Sequence, residues 1–456
     1  VGDKGPNFQW ITNMSEYTGR LYSVQLDEKE IPGIEAKGVQ NFKSLMDVPG
    51  DVDLVVCAVP RQVSPFVIAD AVKKGAGGVA MFTSGFVETG EDLGIQLQQK
   101  IVDTAREAGM PIVGPNCMGV YNRRLGVKFS ASQQQGEGGD VSIISQSGTH
   151  GVSITAGAES LGLKVTRTIS IGNAAVLNEA DYLEYLRDDP DTAVVVMYLE
   201  GVRDGRRFAQ LLREVTRQKP VIIWRGGRTK AGARAALSHT ASLASDDAIW
   251  DSLLRQSGAI SADSLEDAVD TLQAVARLPR SSKRNLALVA MTGGQSVAIT
   301  DQFDRAGFEV PALSQRSYER LGEFFVTIGG SFRNPFDASS TIGRETDNLQ
   351  KILDILADDP AIEGVAFEMR ARDFDKTPDG VDLQVKVIKE YQSRTGQPVV
   401  AIMPEGAVGQ SRPEIIVAAR YYAAQAGLPV YPTFARAAQA FGRTVRYWAW
   451  RDEAEA

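Results

Sequence analysis

Short, almost wholly apolar runs recur along the chain, each followed by a turn of glycine or other small residues and then by a stretch with helical spacing. Residues 54–59 precede Pro60, residues 78–82 precede Thr83-Ser84-Gly85, and residues 111–113 precede Gly114-Pro115-Asn116. The pattern continues with 141–144 before Ser145-Gln146-Ser147-Gly148, 193–199 before Glu200-Gly201, and 221–224 before Arg225-Gly226-Gly227. Further on, 286–291 precede Thr292-Gly293-Gly294, 364–367 precede Glu368, and 398–403 precede Pro404. Apolar runs of this length without alternation fit strands buried on both faces, as in parallel sheets flanked by helices.

Between the runs the spacing is helical. Phe208, Leu211, Leu212 and Val215 stand at i, i+3, i+4 and i+7, one face of a helix. Strands alternating with helices through short glycine turns predict a doubly wound α/β architecture. Few hairpin signals appear. Two polar breaks, residues 133–140 and 278–285, read as linkers and predict three α/β domains near 1–130, 140–278 and 285–450. Ligands in open parallel sheets lie beyond the carboxyl ends of the strands, so functional residues are expected in the small-residue turns.

Length supports that division, since 456 residues exceed what a single core usually holds. A net charge of −8 argues against general nucleic-acid binding, which needs basic faces. Only Cys57 and Cys117 are present, so no disulfide framework is expected, and the setting is read as reduced and cytoplasmic. No apolar run reaches the roughly 20 residues of a membrane helix, and no secretory leader is visible. Val1 rather than Met opens the sequence, and upstream residues are expected.

Histidine occurs only at 150 and 239. His239 sits in Ser238-His239-Thr240-Ala241-Ser242, a small polar run preceded by Arg225, Arg228, Lys230 and Arg234. A small-residue loop with cations nearby suits an imidazole that accepts and releases a phosphoryl group. The turns Ser145-Gln146-Ser147-Gly148-Thr149 and Thr292-Gly293-Gly294-Gln295-Ser296 read as phosphate cradles, in which glycine admits close approach and free N–H groups with the helix dipole favour an anion. Glu200 ends an apolar strand, either as a solvated strand end or as the acceptor for one imidazole nitrogen that leaves the other nucleophilic. No metal-ligand set is singled out.

Taken together, several motifs resemble the NDP-forming acyl-CoA synthetases, a family related to the α subunit of succinyl-CoA synthetase. They are Gly114-Pro115-Asn116-Cys117-Met118-Gly119, Ser145-Gln146-Ser147-Gly148, Ser170-Ile171-Gly172-Asn173, Tyr198-Leu199-Glu200-Gly201, Ser238-His239-Thr240 and Asn334-Pro335-Phe336-Asp337, in family order. The resemblance implies a Rossmann-like CoA-binding domain followed by two flavodoxin-like ligase domains. It also implies the reaction of a carboxylic acid, CoA and ATP to acyl-CoA, ADP and phosphate through an acyl-phosphate and a phosphohistidine. By match, His239 is phosphorylated and Glu200 is its hydrogen-bonding partner. Ser145, Ser147, Gly148 and Thr149, with Gly293 and Gly294, would hold the phosphate at two stations. Val59, Pro60, Thr83, Ser84, Gly85, Asn116 and Cys117 would contact CoA.

The sequence departs from the family in places. The first strand and most of the CoA-phosphate loop are expected upstream of it, a first helix is expected over 7–17, and Lys29 is the cation left nearby. Val176 and Asn178 replace acidic residues, Ala241 replaces a glycine, and His150 stands where an aliphatic residue is usual. No ATP-grasp segment is recognisable, so ATP and Mg2+ would be bound by a β-type ATP-grasp subunit or fused domain, in a homodimer or hetero-oligomer. A small carboxylic acid would complete the reaction. The competing reading is a non-catalytic CoA-binding or regulatory module of the same family.

Overall fold

The structure, a computed structural model, describes residues 8–232, 234, 247–342, 347–371, 374–405 and 412–455. It divides into two compact units, residues 1–159 with 164–268, and residues 160–163 with 269–456.

In the first unit, β1 (Tyr22–Val24) and β2 (Gln40–Phe42) pair in parallel as one small sheet. β3 (Val55–Cys57), β4 (Val79–Met81) and β5 (Ile112–Val113) form a second parallel sheet. β6 (Gly119–Asn122), β7 (Val141–Ser145), β8 (Val165–Ser170), β9 (Val194–Leu199), β10 (Val221–Arg225) and β11 (Ile260–Ala262) form a six-stranded sheet in the order β11-β10-β9-β7-β8-β6. Each apolar run of this unit became a strand. All six residues of β9 and all five of β7 are buried, as expected of strands covered on both faces.

The helix Gly205–Thr216 turns its Phe208, Leu211, Leu212 and Val215 stripe onto that sheet, against Ile144, Val195, Met197 and Leu199. Burial of each such side chain contributes about 1.5–3 kcal/mol relative to exposure. β8 carries no apolar run. Its Thr166, Thr168 and Ser170 are nonetheless buried, and the Thr168 hydroxyl lies 2.7 Å from that of Thr155. β6 runs antiparallel to β8 at the sheet edge, the one antiparallel pairing between named strands among the described residues.

The first helix is shorter than the sequence predicts. It covers Gln9–Asn13, entered through Phe8 at φ 41. Beyond it the Thr18 N–H donates to the Leu125 carbonyl at 3.0 Å, which draws the chain away from helical pairing. Trp10 on this helix packs edge-on against Phe82, with ring centroids 5.0 Å apart.

In the second unit, β12 (Leu286–Ala290), β13 (Phe336–Asp337), β14 (Gly364–Glu368), β15 (Val399–Ile402) and β16 (Val430–Tyr431) form a parallel sheet ordered β13-β12-β14-β15-β16. Two apolar clusters cover its faces, one including Leu353, Ile388 and Tyr391, the other Phe303, Phe441 and Val445. Among the described residues, no helix is long and apolar enough to cross a membrane, and no group of three or more His, Cys, Asp or Glu side chains is placed to hold a metal ion. In both units a small-residue turn leaves the carboxyl end of a central strand and opens a 13-residue helix, Gly148–Ser160 after β7 and Gly293–Arg305 after β12.

Candidate active site

The turn after β7 is a built structure rather than a loose connection. Ser145 is buried and its hydroxyl donates to the Ser147 carbonyl at 2.6 Å. Gln146 faces the neighbouring strand end. Its Oε1 accepts the backbone N–H groups of Glu200 and, at 3.1 Å, Gly201, while its Nε2 donates to the Gly201 carbonyl at 2.9 Å. The turn after β7 and the turn after β9 are thereby one unit. Ser147 Oγ accepts the His150 N–H at 3.4 Å, and the helix opens at Gly148 and Thr149 with the unpaired N–H groups of any helix start directed outward. An added Cβ on Gly148 would come within 2.4 Å of Met118 Cγ, so only glycine fits beneath that side chain.

Glu200 is buried, at 8% exposure. Tyr198 stands two residues earlier and therefore on the same strand face. Its hydroxyl donates to Glu200 Oε1 at 3.1 Å. Burial first, and then the Glu200 carboxylate, raise the Tyr198 phenol above its ordinary value, so it stays a donor. In parallel register Tyr198 lies beside Trp224 of β10, and the rings sit 4.7 Å apart. His150, in the first turn of the helix above, completes the cluster at 4.3 Å from Tyr198 and 4.5 Å from Trp224. Gly226 leaves space here, because a Cβ there would stand 2.5 Å from Tyr198 Oη and 3.3 Å from Glu200 Cγ.

Of the residues expected to contact CoA, four lie in one linked set. Thr83 Oγ1 donates to the Val59 carbonyl at 2.7 Å, and the Thr83 carbonyl accepts the Asn116 N–H at 2.9 Å. Asn116 adopts φ 57 and donates through Nδ2 to Asn173 Oδ1 at 3.3 Å. Asn173 in turn donates to Glu88 Oε2 at 2.6 Å, and Glu88 Oε1 accepts the Gly85 N–H at 2.6 Å. Ser84 and Pro60 are exposed beside this set. Cys117 is buried, its thiol donates to the Met81 carbonyl at 3.3 Å, and burial pushes its pKa up to about 12. It is a packed thiol, not a nucleophile.

Asn178, one of the departures noted above, has a structural role. Its Oδ1 accepts the Ala180 N–H at 2.9 Å while its own N–H donates to Asp181 at 2.8 Å, capping the helix Glu179–Asp188. Val176 packs onto the core beside Met81 and Phe86. A cleft of about 810 Å³ runs from the first helix, at Phe8, Gln9, Thr12 and Asn13, past Met118 to Gly148 and Thr149. That volume suits a cofactor-sized ligand.

The turn after β12 has different neighbours. Thr292 caps the helix by accepting the Gln295 N–H at 3.2 Å, and Gly293 and Gly294 are exposed. The Asp337 carboxylate stands close, 3.4 Å from where a Cβ on Gly293 would lie. Glu368 is buried at the end of β14, accepts the Met291 N–H at 2.8 Å, and has its pKa raised by burial. His239 lies outside the described residues. Sequence reasoning missed Tyr198, Trp224, Met118 and Asn173 as parts of the site. Tyr198, Met118 and Asn173 stood inside the family motifs without a role, and only the strand register pairs Tyr198 with Trp224.

A CoA-binding Rossmann-like region joined to flavodoxin-like ligase sheets defines the CoA-handling part of an acid–thiol ligase. The CoA binding domain family matches residues 4–123, and the succinyl-CoA ligase like flavodoxin domain family matches residues 138–275. The chain is 31% identical to the α subunit of acetate–CoA ligase (ADP-forming) II from Pyrococcus furiosus, over 90% of this chain and 87% of that one. It is also 31% identical to the α subunit of the form I enzyme of the same organism, over 95% and 91%. A solved structure of the dinucleotide-forming acetyl-coenzyme A synthetase 1 from Ca. Korarchaeum cryptofilum, in complex with phosphate and ADP, superposes with a TM-score of 0.84 at 28% identity, covering 100% of this chain and 96% of that chain. The chain belongs to the α-subunit family of the ADP-forming acyl-CoA synthetases.

Proposed function

We propose that this chain is the CoA-binding, phosphohistidine-carrying component of an ADP-forming acyl-CoA synthetase. Running toward ATP, phosphate oxygen attacks the thioester carbon of an acyl-CoA, the C–S bond breaks, and CoA leaves as a thiol. An imidazole nitrogen of His239 then attacks phosphorus of the acyl-phosphate, the P–O bond to the acyl group breaks, and the carboxylate departs. The phosphoryl group passes on to ADP at an ATP-grasp partner or fused domain, which would also hold the Mg2+ that neutralises the nucleotide's charge. Glu200 orients the imidazole, and the turn of Ser145, Ser147, Gly148 and Thr149 receives the phosphate. Val59, Pro60, Thr83, Ser84, Gly85, Asn116 and Cys117 border the CoA path in residues 1–130. Gly293 and Gly294 form the second phosphate station.

The observation that carries this reading is the Gln146 link, which holds a helix-start anion site and the buried Glu200 carboxylate on adjacent strand ends. Several relatives are named for acetate, and a feruloyl-CoA synthase is 30% identical over 77% of this chain. A small carboxylic acid with acetate as first candidate is therefore the substrate class. Incubation with acetyl-CoA and radiolabelled phosphate should give an acid-labile label on the chain. His239→Asn should abolish it, and a label that persists in that variant refutes the phosphohistidine assignment.

A further inference from the structure

Glu200 would have little orienting power if its own carboxylate were free to rotate. Gln146 fixes its backbone by accepting the Glu200 and Gly201 N–H groups, but these bonds do not reach the carboxylate. Tyr198 supplies a constraint on the carboxylate itself. Residues i and i+2 of a strand share a face, and the Tyr198 hydroxyl reaches Glu200 Oε1 at 3.1 Å in a buried setting. Tyr198 is itself held. Its ring packs against Trp224 at 4.7 Å and His150 at 4.3 Å in a three-ring cluster, and the missing side chain of Gly226 leaves the space its hydroxyl occupies.

An aromatic ring with two torsions, held in a cluster of three rings, is a stiff support for one hydrogen bond. The bond commits one carboxylate oxygen to the phenol and so sets the direction in which the other can accept a proton. We propose that Tyr198 is a positioning residue for the phosphoryl-transfer step, holding Glu200 in the orientation that directs the imidazole, with His150 and Trp224 packed against its ring. This rests on the phosphohistidine reading above.

The hydroxyl is separable from the ring. In Tyr198→Phe the packing against His150 and Trp224 persists and only the hydrogen bond to Glu200 is lost. Labelling from acetyl-CoA and radiolabelled phosphate is measured as an initial rate across acetyl-CoA concentrations, alongside the melting temperature. The expected result is a maximal rate at least about tenfold lower, an unchanged half-saturating acetyl-CoA concentration, and a melting temperature lowered by only a few degrees, since one buried hydrogen bond is lost while the ring packing stays. Trp224→Leu, which removes one ring of the cluster and keeps the hydroxyl, should lower the rate to an intermediate value.

A Tyr198→Phe rate equal to wild type overturns the proposal. So does a loss of rate that vanishes at a temperature where the variant is fully folded, which would assign Tyr198 to packing alone. Wild-type chain that takes no label, or His239→Asn that keeps it, refutes the phosphohistidine reading instead. Those outcomes are distinguishable from a normal wild-type label with an unaffected Tyr198→Phe, which sinks only the role of Tyr198.

Discussion

Gln146 and Glu200 lie 54 residues apart in sequence, yet Gln146 Oε1 accepts the Glu200 backbone N–H directly. The same oxygen accepts the Gly201 N–H at 3.1 Å, and the amide nitrogen returns a bond to the Gly201 carbonyl at 2.9 Å. All of this is buried. Truncation to Gln146→Ala strands two backbone donors, at about 1–3 kcal/mol for each unsatisfied group. We expect a stability loss of about 2–4 kcal/mol, read by denaturant unfolding, together with a loss of phosphoryl labelling larger than global unfolding explains. A variant as stable as wild type would show that water replaces the amide and that the two turns are not coupled.

Gly226 lies just past the end of β10, beside Glu200, and its lack of a side chain is what admits the Tyr198 hydroxyl. In Gly226→Ala, a Cβ 2.5 Å from Tyr198 Oη must push that hydroxyl aside. The expected labelling rate therefore resembles that of Tyr198→Phe, and the double variant should be no slower than the slower single one. Groups acting through a shared contact give such non-additive cycles. Multiplicative losses in the double variant would mean that Gly226 serves another purpose.

The strands were legible wherever both sheet faces are covered, because burial on both sides writes a continuous apolar run, as in β7, β9 and β12. β8 was not legible. Its Val-Thr-Arg-Thr-Ile-Ser sequence buries hydroxyls that find partners only in the folded state, Thr155 for Thr168 and the Met118 N–H for Ser170. The edge strands β6 and β11 are three or four residues long and carry too short a pattern to read. Glu200 stood out because a carboxylate closing an apolar strand is anomalous, whereas Tyr198 and Trp224 looked like core residues. Their pairing depends on the register between β9 and β10, which nothing in either segment alone specifies.

Cys117 lies in the loop assigned to CoA, and a thiol beside a thioester invites a covalent role. Burial raises its pKa from 9.0 to about 12, so the thiolate is about one part in ten thousand at pH 8. Native protein should resist iodoacetamide at Cys117 at that pH, as read by peptide mass analysis, and Cys117→Ala should retain most of the labelling rate. The sign of the stability effect follows. A thiol whose folded pKa is raised contributes fully below pH 9 and loses that contribution as pH rises from 9 toward 12, because the unfolded chain ionises first. Chemical denaturation at pH 8 and pH 10 should therefore show less loss of stability in Cys117→Ala than in wild type. Rapid native alkylation of Cys117 would contradict the burial on which both expectations depend.

Gly148 opens the helix at the phosphate turn directly beneath Met118, which belongs to the loop bordering the CoA path. The ideal Cβ position on Gly148 lies 2.4 Å from Met118 Cγ and 3.4 Å from Met118 Cβ, so Gly148→Ala forces the methionine out of place. The added methyl points at Met118 rather than into open space, and the harm is therefore crowding between the two loops. Gly148→Ala should lower the labelling rate at least about tenfold, the scale on which misplacement by an ångström affects a transfer step. Shortening the obstructing side chain should relieve it. The Gly148→Ala, Met118→Ala double variant is expected to label faster than Gly148→Ala alone, while Met118→Ala by itself chiefly raises the half-saturating acetyl-CoA concentration. If the double variant stays as slow as the single one, the methyl group obstructs phosphate itself, and the turn and the methionine act independently.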